Sequence, residues 1–160
     1  MYGALQALYW SGRLAADKRA KSLLQGKGSM RYEFSSDTIF LLGVFLWGTL
    51  LGSILRFYDT IPHYDSLMHF VGGALISSFL VSFLVKYLSG FYFAVNVCIT
   101  AGIAAIWEIT EFINDRLFGL SGQLGLSDTM GDMIFVVAAA LVINAMYWAR
   151  DAKVALGGKI

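Results

Sequence analysis

The sequence predicts an all-α, polytopic membrane protein with four transmembrane helices and an N-terminal amphipathic helix at the membrane interface. Three observations carry that expectation: an apolar excess, four long stretches almost free of charge, and an uneven distribution of Lys and Arg beside them. Of 160 residues, 58 % are hydrophobic and 14 % charged, and the mean hydropathy is +0.65. A soluble domain is about 45–50 % apolar and about 25 % charged, so one buried core does not absorb this excess. Lipid is the expected solvent for most of the surface. A net charge of +1 and a single cysteine, Cys98, argue against a disordered chain, a disulfide scaffold or a nucleic-acid binder.

Residues 1–35 form the expected cytoplasmic, interfacial segment. Over residues 1–25, Leu5, Leu8, Tyr9, Ala15 and Ala16 share one helical stripe, while Arg13, Asp17 and Lys21 recur every four residues on another. Gly26 and Gly28 mark a turn. The first span is expected near 37–56, because the 18 residues from Thr38 to Leu55 contain no Asp, Glu, Lys or Arg. The second is expected near 64–87, where the 20 residues from Ser66 to Val85 are interrupted only by His69. The third, near 91–116, contains 21 uncharged residues from Tyr87 to Trp107, and the fourth, near 128–149, contains 17 from Met133 to Ala149. At 1.5 Å per residue, stretches of this length suit roughly 30 Å of hydrocarbon. Residues 151–160 are expected as a short cytoplasmic tail, which leaves 36–150 as one transmembrane domain.

Four crossings place both termini on one side. Ten basic residues then lie on that side and two, Arg56 and Arg116, on the other. The positive-inside rule therefore predicts cytoplasmic N- and C-termini. The mixed, basic first 35 residues do not fit a secretory signal, so the first span is expected to direct insertion. Gly48 and Gly52 in the first span, and Gly73, Ser77, Ser78 and Ser82 in the second, are expected to form close helix seams.

The charges near the spans point to chemistry. Asp65 and His69 are four apart at the start of the second span, and Asp128 and Asp132 are four apart at the start of the fourth. Glu108, Glu111 and Asp115 form a stripe near the end of the third. Alternating topology brings all three groups to the non-cytoplasmic face. Charges in that outer zone are costly unless paired, hydrated or bound to a cation. Six carboxylates there face only His63, His69, Arg56 and Arg116, so either some acids hold protons or a metal supplies positive charge.

The candidate metal ligands are Asp65, His69, Glu108, Glu111, Asp128 and Asp132. Oxygen-rich donors with imidazole suit divalent Zn, Mg, Mn or Fe, and the lack of paired cysteines argues against a thiolate site. A cap or loop role is the competing expectation for Asp37, Asp59, Asp115 and Asp128, and pairing with Arg116 is the competing one for Glu111 or Asp115. No His-Glu-x-x-His, Glu-x-x-His, Gly-x-Ser-x-Gly or Walker pattern occurs. The glycine-rich connection from Gly119 to Gly125 is expected to be a flexible or partly re-entrant loop over the site.

Three segments carry a resemblance: Tyr64-Asp-Ser-Leu-Met-His-Phe-Val-Gly-Gly73, Trp107-Glu-Ile-Thr-Glu-Phe112 and Asp128-Thr-Met-Gly-Asp-Met133. Together they resemble the YjdF-like family of small bacterial and archaeal inner-membrane proteins and, more distantly, VanZ-like proteins. The resemblance implies a multi-helix membrane protein with acidic and His residues near one face, and it implies no particular reaction. It carries over Asp65, His69, Gly73, Glu108, Glu111, Asp128, Thr129 and Asp132 as motif positions. Family members often have a further Asp where this chain has Gly125, and many have more than four crossings.

Three functions are expected to compete. The first is a divalent-cation-binding membrane protein, in its enzymatic form acting on lipid headgroups or envelope precursors. The second is an accessory or structural subunit of a larger membrane complex, and the third is an ion or proton carrier. Membrane lipids are the expected surroundings, a homo-oligomer or larger complex is compatible with the helix seams, and nucleic acid is not an expected partner.

Overall fold

Ser35 starts the first span by offering its side-chain oxygen to the Thr38 N–H at 3.2 Å, an N-cap that satisfies one of the donors every helix leaves open. A computed structural model describes residues 35–88 and 91–155. The interfacial helix expected over residues 1–25 and the turn at Gly26 and Gly28 lie outside them. Among the described residues five helices follow in order: α1 (Ser36–Ile54), a single turn α2 (Phe57–Thr60), α3 (Tyr64–Tyr87), α4 (Tyr92–Phe118) and α5 (Leu126–Ala155). Among the described residues there is no strand. α1, α3, α4 and α5 are each long and apolar enough to cross a membrane.

The boundaries follow local chemistry. Arg56, at φ 58°, makes the left-handed corner between α1 and α2, and its Nε donates to Asp59 Oδ2 at 2.9 Å. Ile61 is extended, as the position before Pro62 favours, and His63, at φ 60°, turns the chain into α3. Gly119, at φ 67°, ends α4 with its N–H bonded to the Asp115 carbonyl at 3.0 Å. α5 continues to Ala155, six residues beyond the end expected at 149, so the expected tail begins as helix. An apolar stretch marks the part of a helix that needs lipid; the backbone continues helical after that stretch ends.

α3 is the central element, packed on α1, α4 and α5. Its most extensive partner is α5, and Ala74 and Val81 meet Ala139 and Ile143 there in a fully apolar core. Small residues allow this approach: a Cβ added at Gly73 would lie 2.9 Å from the Val136 Cα. The expected seam at Gly48 and Gly52 also forms. Added Cβ atoms there would meet Met68 at 2.8 Å and the Tyr64 ring at 2.5 Å, and the Tyr64 hydroxyl donates to the Gly48 carbonyl at 2.7 Å. Close backbone contact of this kind replaces the hydrophobic drive that lipid does not supply. Large side chains such as Phe40, Trp47, Ile106 and Ile134 are exposed on the outside of the bundle, as a lipid-facing surface requires.

The half of the bundle nearer the termini contains a buried polar network. The Asn96 amide donates to the Ser77 carbonyl at 3.2 Å, to Ser77 Oγ at 3.1 Å and to Asn144 Oδ1 at 3.2 Å. Thr100 donates to Asn96 Oδ1 at 3.2 Å, and Asn144 donates to the Ala140 carbonyl at 2.8 Å. Thr38 and Ser78 share a hydrogen bond of 2.8 Å, which ties α1 to α3. Asp37 pairs with Arg150 at the same end, and this contact joins α1 to α5.

Candidate functional site

The opposite end of the bundle collects charge. Alternating helix directions place the first turns of α3, the last third of α4 and the first turns of α5 side by side. On α4 the buried residues Asn96, Thr100, Ala104 and Glu108 recur every four positions. That stripe faces α3 and α5 along its whole length, so the position that buries Ala104 also buries Glu108 one turn later. On α5, Asp132 stands one turn before Val136, which touches Gly73, and on α3 His69 stands one turn before Gly73. The tight Gly73–Val136 contact thus sets the spacing of the two helices directly beneath the acids.

Two compact groups result, both containing His69. Ligand atoms of Asp65, His69 and Asp132 lie within 4.8 Å of one another, and so do those of His69, Glu108 and Glu111. His69 Nε2 is 3.8 Å from Asp65 Oδ1 and 3.7 Å from Glu108 Oε1, too far for a good hydrogen bond. Glu108 is 5 % exposed and Asp132 1 %. Glu108 Oε1 and Asp132 Oδ1 have no hydrogen-bond partner. A buried, unpartnered carboxylate oxygen is costly, and here there are two, one in each group. Among the described residues no Lys or Arg pairs with any of these four acids. Arg56 is paired with Asp59, and Arg116 lies 5.3 Å from the Phe112 ring centroid.

The surrounding polar groups hold the loop and the rim. Trp107 Nε1 donates to Glu111 Oε1 at 2.7 Å from the exposed side of α4. Asp115 accepts from the Gly122 and Gln123 N–H groups at 3.0 and 2.8 Å, and so fixes the connection after α4. Gln123 then donates its side-chain amide to Thr129 Oγ1 at 2.7 Å, and the Thr129 hydroxyl faces the Glu108 carboxylate. The expected loop over the site is therefore tethered to it by named hydrogen bonds. Tyr58, on α2, closes another side with its ring 5.1 Å from that of Tyr64. Burial pushes its phenol above the usual tyrosine range, and the nearby Asp65 and Glu111 charges act in the same direction.

Of the six sequence-derived ligands, five fall in the two compact groups: Asp65, His69, Glu108, Glu111 and Asp132. Asp128 falls outside them. It accepts from the Leu124 N–H at 3.0 Å, because an acid in the first turn of α5 reaches back to the open backbone donors there. Asp115 likewise serves the loop and does not join the groups. Residue-type and spacing arguments passed over Trp107, Gln123 and Tyr58 as neighbours of the site. They also passed over the Asn96, Thr100 and Asn144 network. The signal for the latter was present, since Asn96 and Thr100 continue the four-residue stripe of Glu108.

A protein of Thermotoga maritima described as uncharacterized is 35 % identical to the chain over 107 residues, which is 62 % of this chain and 52 % of the relative. The chain thus spans about half the length of that relative. No solved structure matches. A model of the predicted membrane protein family DUF2238, to which the YjdF proteins belong, matches residues 24–153 and so includes all four spans and both groups of acids. The chain is a member of the DUF2238 family of predicted membrane proteins.

Proposed function

We propose that this protein binds a divalent cation through Asp65, His69, Glu108, Glu111 and Asp132, at the outward end of a four-helix bundle whose termini lie in the cytoplasm. One observation carries the reading: two buried carboxylate oxygens, Glu108 Oε1 and Asp132 Oδ1, lack any partner beside an imidazole nitrogen. Cation binding supplies the positive partner that such oxygens lack. Metal–ligand bonds of about 2.0–2.2 Å place neighbouring donors about 3.0–3.5 Å apart, so the observed 3.7 and 3.8 Å separations close with shifts of a few tenths of an ångström. Zn, Mn, Fe and Mg in the divalent state all accept such oxygen-rich sets. The preponderance of Lys and Arg beside the termini supports the orientation.

A carrier reading is less well supported. Between the acids and the polar network, the bundle interior is filled by Gly73, Ala74, Ala104, Val136, Ala139 and Ala140. Ion movement needs polar groups or water through that layer.

The test is elemental analysis of the full chain purified in detergent, with thermal unfolding measured before and after chelation. The expected result is bound divalent metal that falls in Glu108→Gln and His69→Ala, with a larger drop in Tm after chelation in the wild type than in either variant. Wild-type protein that holds no metal above the blank and shows no Tm shift with Zn, Mn, Fe or Mg overturns the reading.

A further inference from the structure

We infer that the site takes two divalent cations, one in the Asp65–Asp132 lobe and one in the Glu108–Glu111 lobe, with His69 standing between them. The inference rests on the cation reading above and specifies its stoichiometry.

Three observations lead to it. First, the donor atoms that lie close together fall into two sets. They form two trios that share only His69, with the donor atoms of each trio within 4.8 Å of one another. Second, each trio has its own unsatisfied, buried oxygen: Asp132 Oδ1 in one and Glu108 Oε1 in the other. A single ion placed in either lobe leaves the other oxygen without a partner. Third, two divalent ions match the charge of the four acids in their ionised form. Asp65, Asp132, Glu108 and Glu111 bring four negative charges when ionised, and among the described residues no Lys or Arg is paired with them. One divalent ion leaves two negative charges in a zone where uncompensated charge is costly, and two ions leave none.

The donor inventory accommodates this. His69 Nε2 has one lone pair and serves one ion. The other ion draws on carboxylates, each of which has two oxygens and can bridge. Trp107, bonded to Glu111, and Thr129, facing Glu108, orient the acids of one lobe from outside. Asp65, one-third exposed, leaves the other lobe open to exchange. Paired ions a few ångströms apart are suited to holding a phosphate or an activated water between them.

The experiment is a Mn2+ titration of chelator-stripped full chain in detergent, read as bound ions per chain and by electron paramagnetic resonance. Two equivalents and an exchange-coupled spectrum are expected in the wild type. The pairs Asp65→Asn with Asp132→Asn, and Glu108→Gln with Glu111→Gln, are each expected to retain one equivalent and to give an uncoupled spectrum. Helical circular dichroism and a monodisperse elution profile establish that the variants are folded, and the wild-type count decides the question if they are not. One equivalent in the wild type, or two without coupling, overturns the paired site and leaves the single-cation reading standing. No bound Mn2+ or other divalent ion overturns both.

Discussion

Replacing Gly73 with alanine tests whether the helix contact beneath the acids sets the geometry of the site. The new Cβ would sit 2.9 Å from the Val136 Cα, 3.0 Å from its carbonyl oxygen and 3.1 Å from its Cγ1. Two of these three atoms are backbone and cannot rotate away. Relief therefore requires α3 and α5 to part by about half an ångström across the largest helix interface in the bundle, at an overpacking cost of about 1–3 kcal/mol. His69 and Asp132 lie one turn above on the two separating helices, so the Asp65–His69–Asp132 group opens at the same time. Gly102→Ala is the control, since an added Cβ there meets nothing within 4 Å and alanine is the better helix former by up to about 1 kcal/mol. Thermal unfolding in detergent should show a loss of several degrees for Gly73→Ala and none for Gly102→Ala, and Mn2+ affinity should fall only in the former. Equal stability and equal affinity in the two variants would show that α3 and α5 do not approach as described.

Three further outcomes are expected. Asn96→Ala removes three donated bonds and strands Thr100 and Asn144; with interhelical bonds in membranes averaging about 0.6 and reaching about 1.7 kcal/mol, a loss of roughly 1–3 kcal/mol is expected in an unfolding assay, without change in metal content. Glu108→Gln is expected to be no less stable than wild type in chelator, because it removes a buried charge that lacks a partner, yet to lose most of what the ion in its own lobe confers on the wild type, roughly 2.7 kcal/mol for an ion at 100 times its Kd. Denaturation midpoints with and without Mn2+ measure both, and a variant that gains as much from the ion as the wild type refutes the assignment. Ser121→Cys places a thiol in the connection beside the site; in intact cells it should react with a membrane-impermeant maleimide, whereas labelling only after lysis reverses the proposed orientation.

Much of the fold was legible before any tertiary information. Lipid leaves a helix no alternative for its backbone groups, so long uncharged stretches translate directly into spans. The start of α3 at Tyr64 and its end at Tyr87 coincide with the sequence-derived limits. The end of α5 at Ala155 does not, because Arg150 and the residues after it interrupt the apolar signal without interrupting the helix. The acids were legible as a group for a related reason: each was a rare charge at the edge of an apolar stretch, and alternating topology brings such edges together.

The sequence by itself therefore determined the class, the number of crossings and the end of the bundle where charge gathers, since these depend on composition and on spacing along single helices. Only the tertiary structure decided which acids meet. Asp128 and Asp132 are equivalent by spacing, yet one bonds the Leu124 backbone and the other is buried against His69. Helix periodicity specifies a face and leaves open what that face touches. The contacts among α3, α4 and α5, with Gly73 against Val136 beneath the site, divide the acids into two lobes.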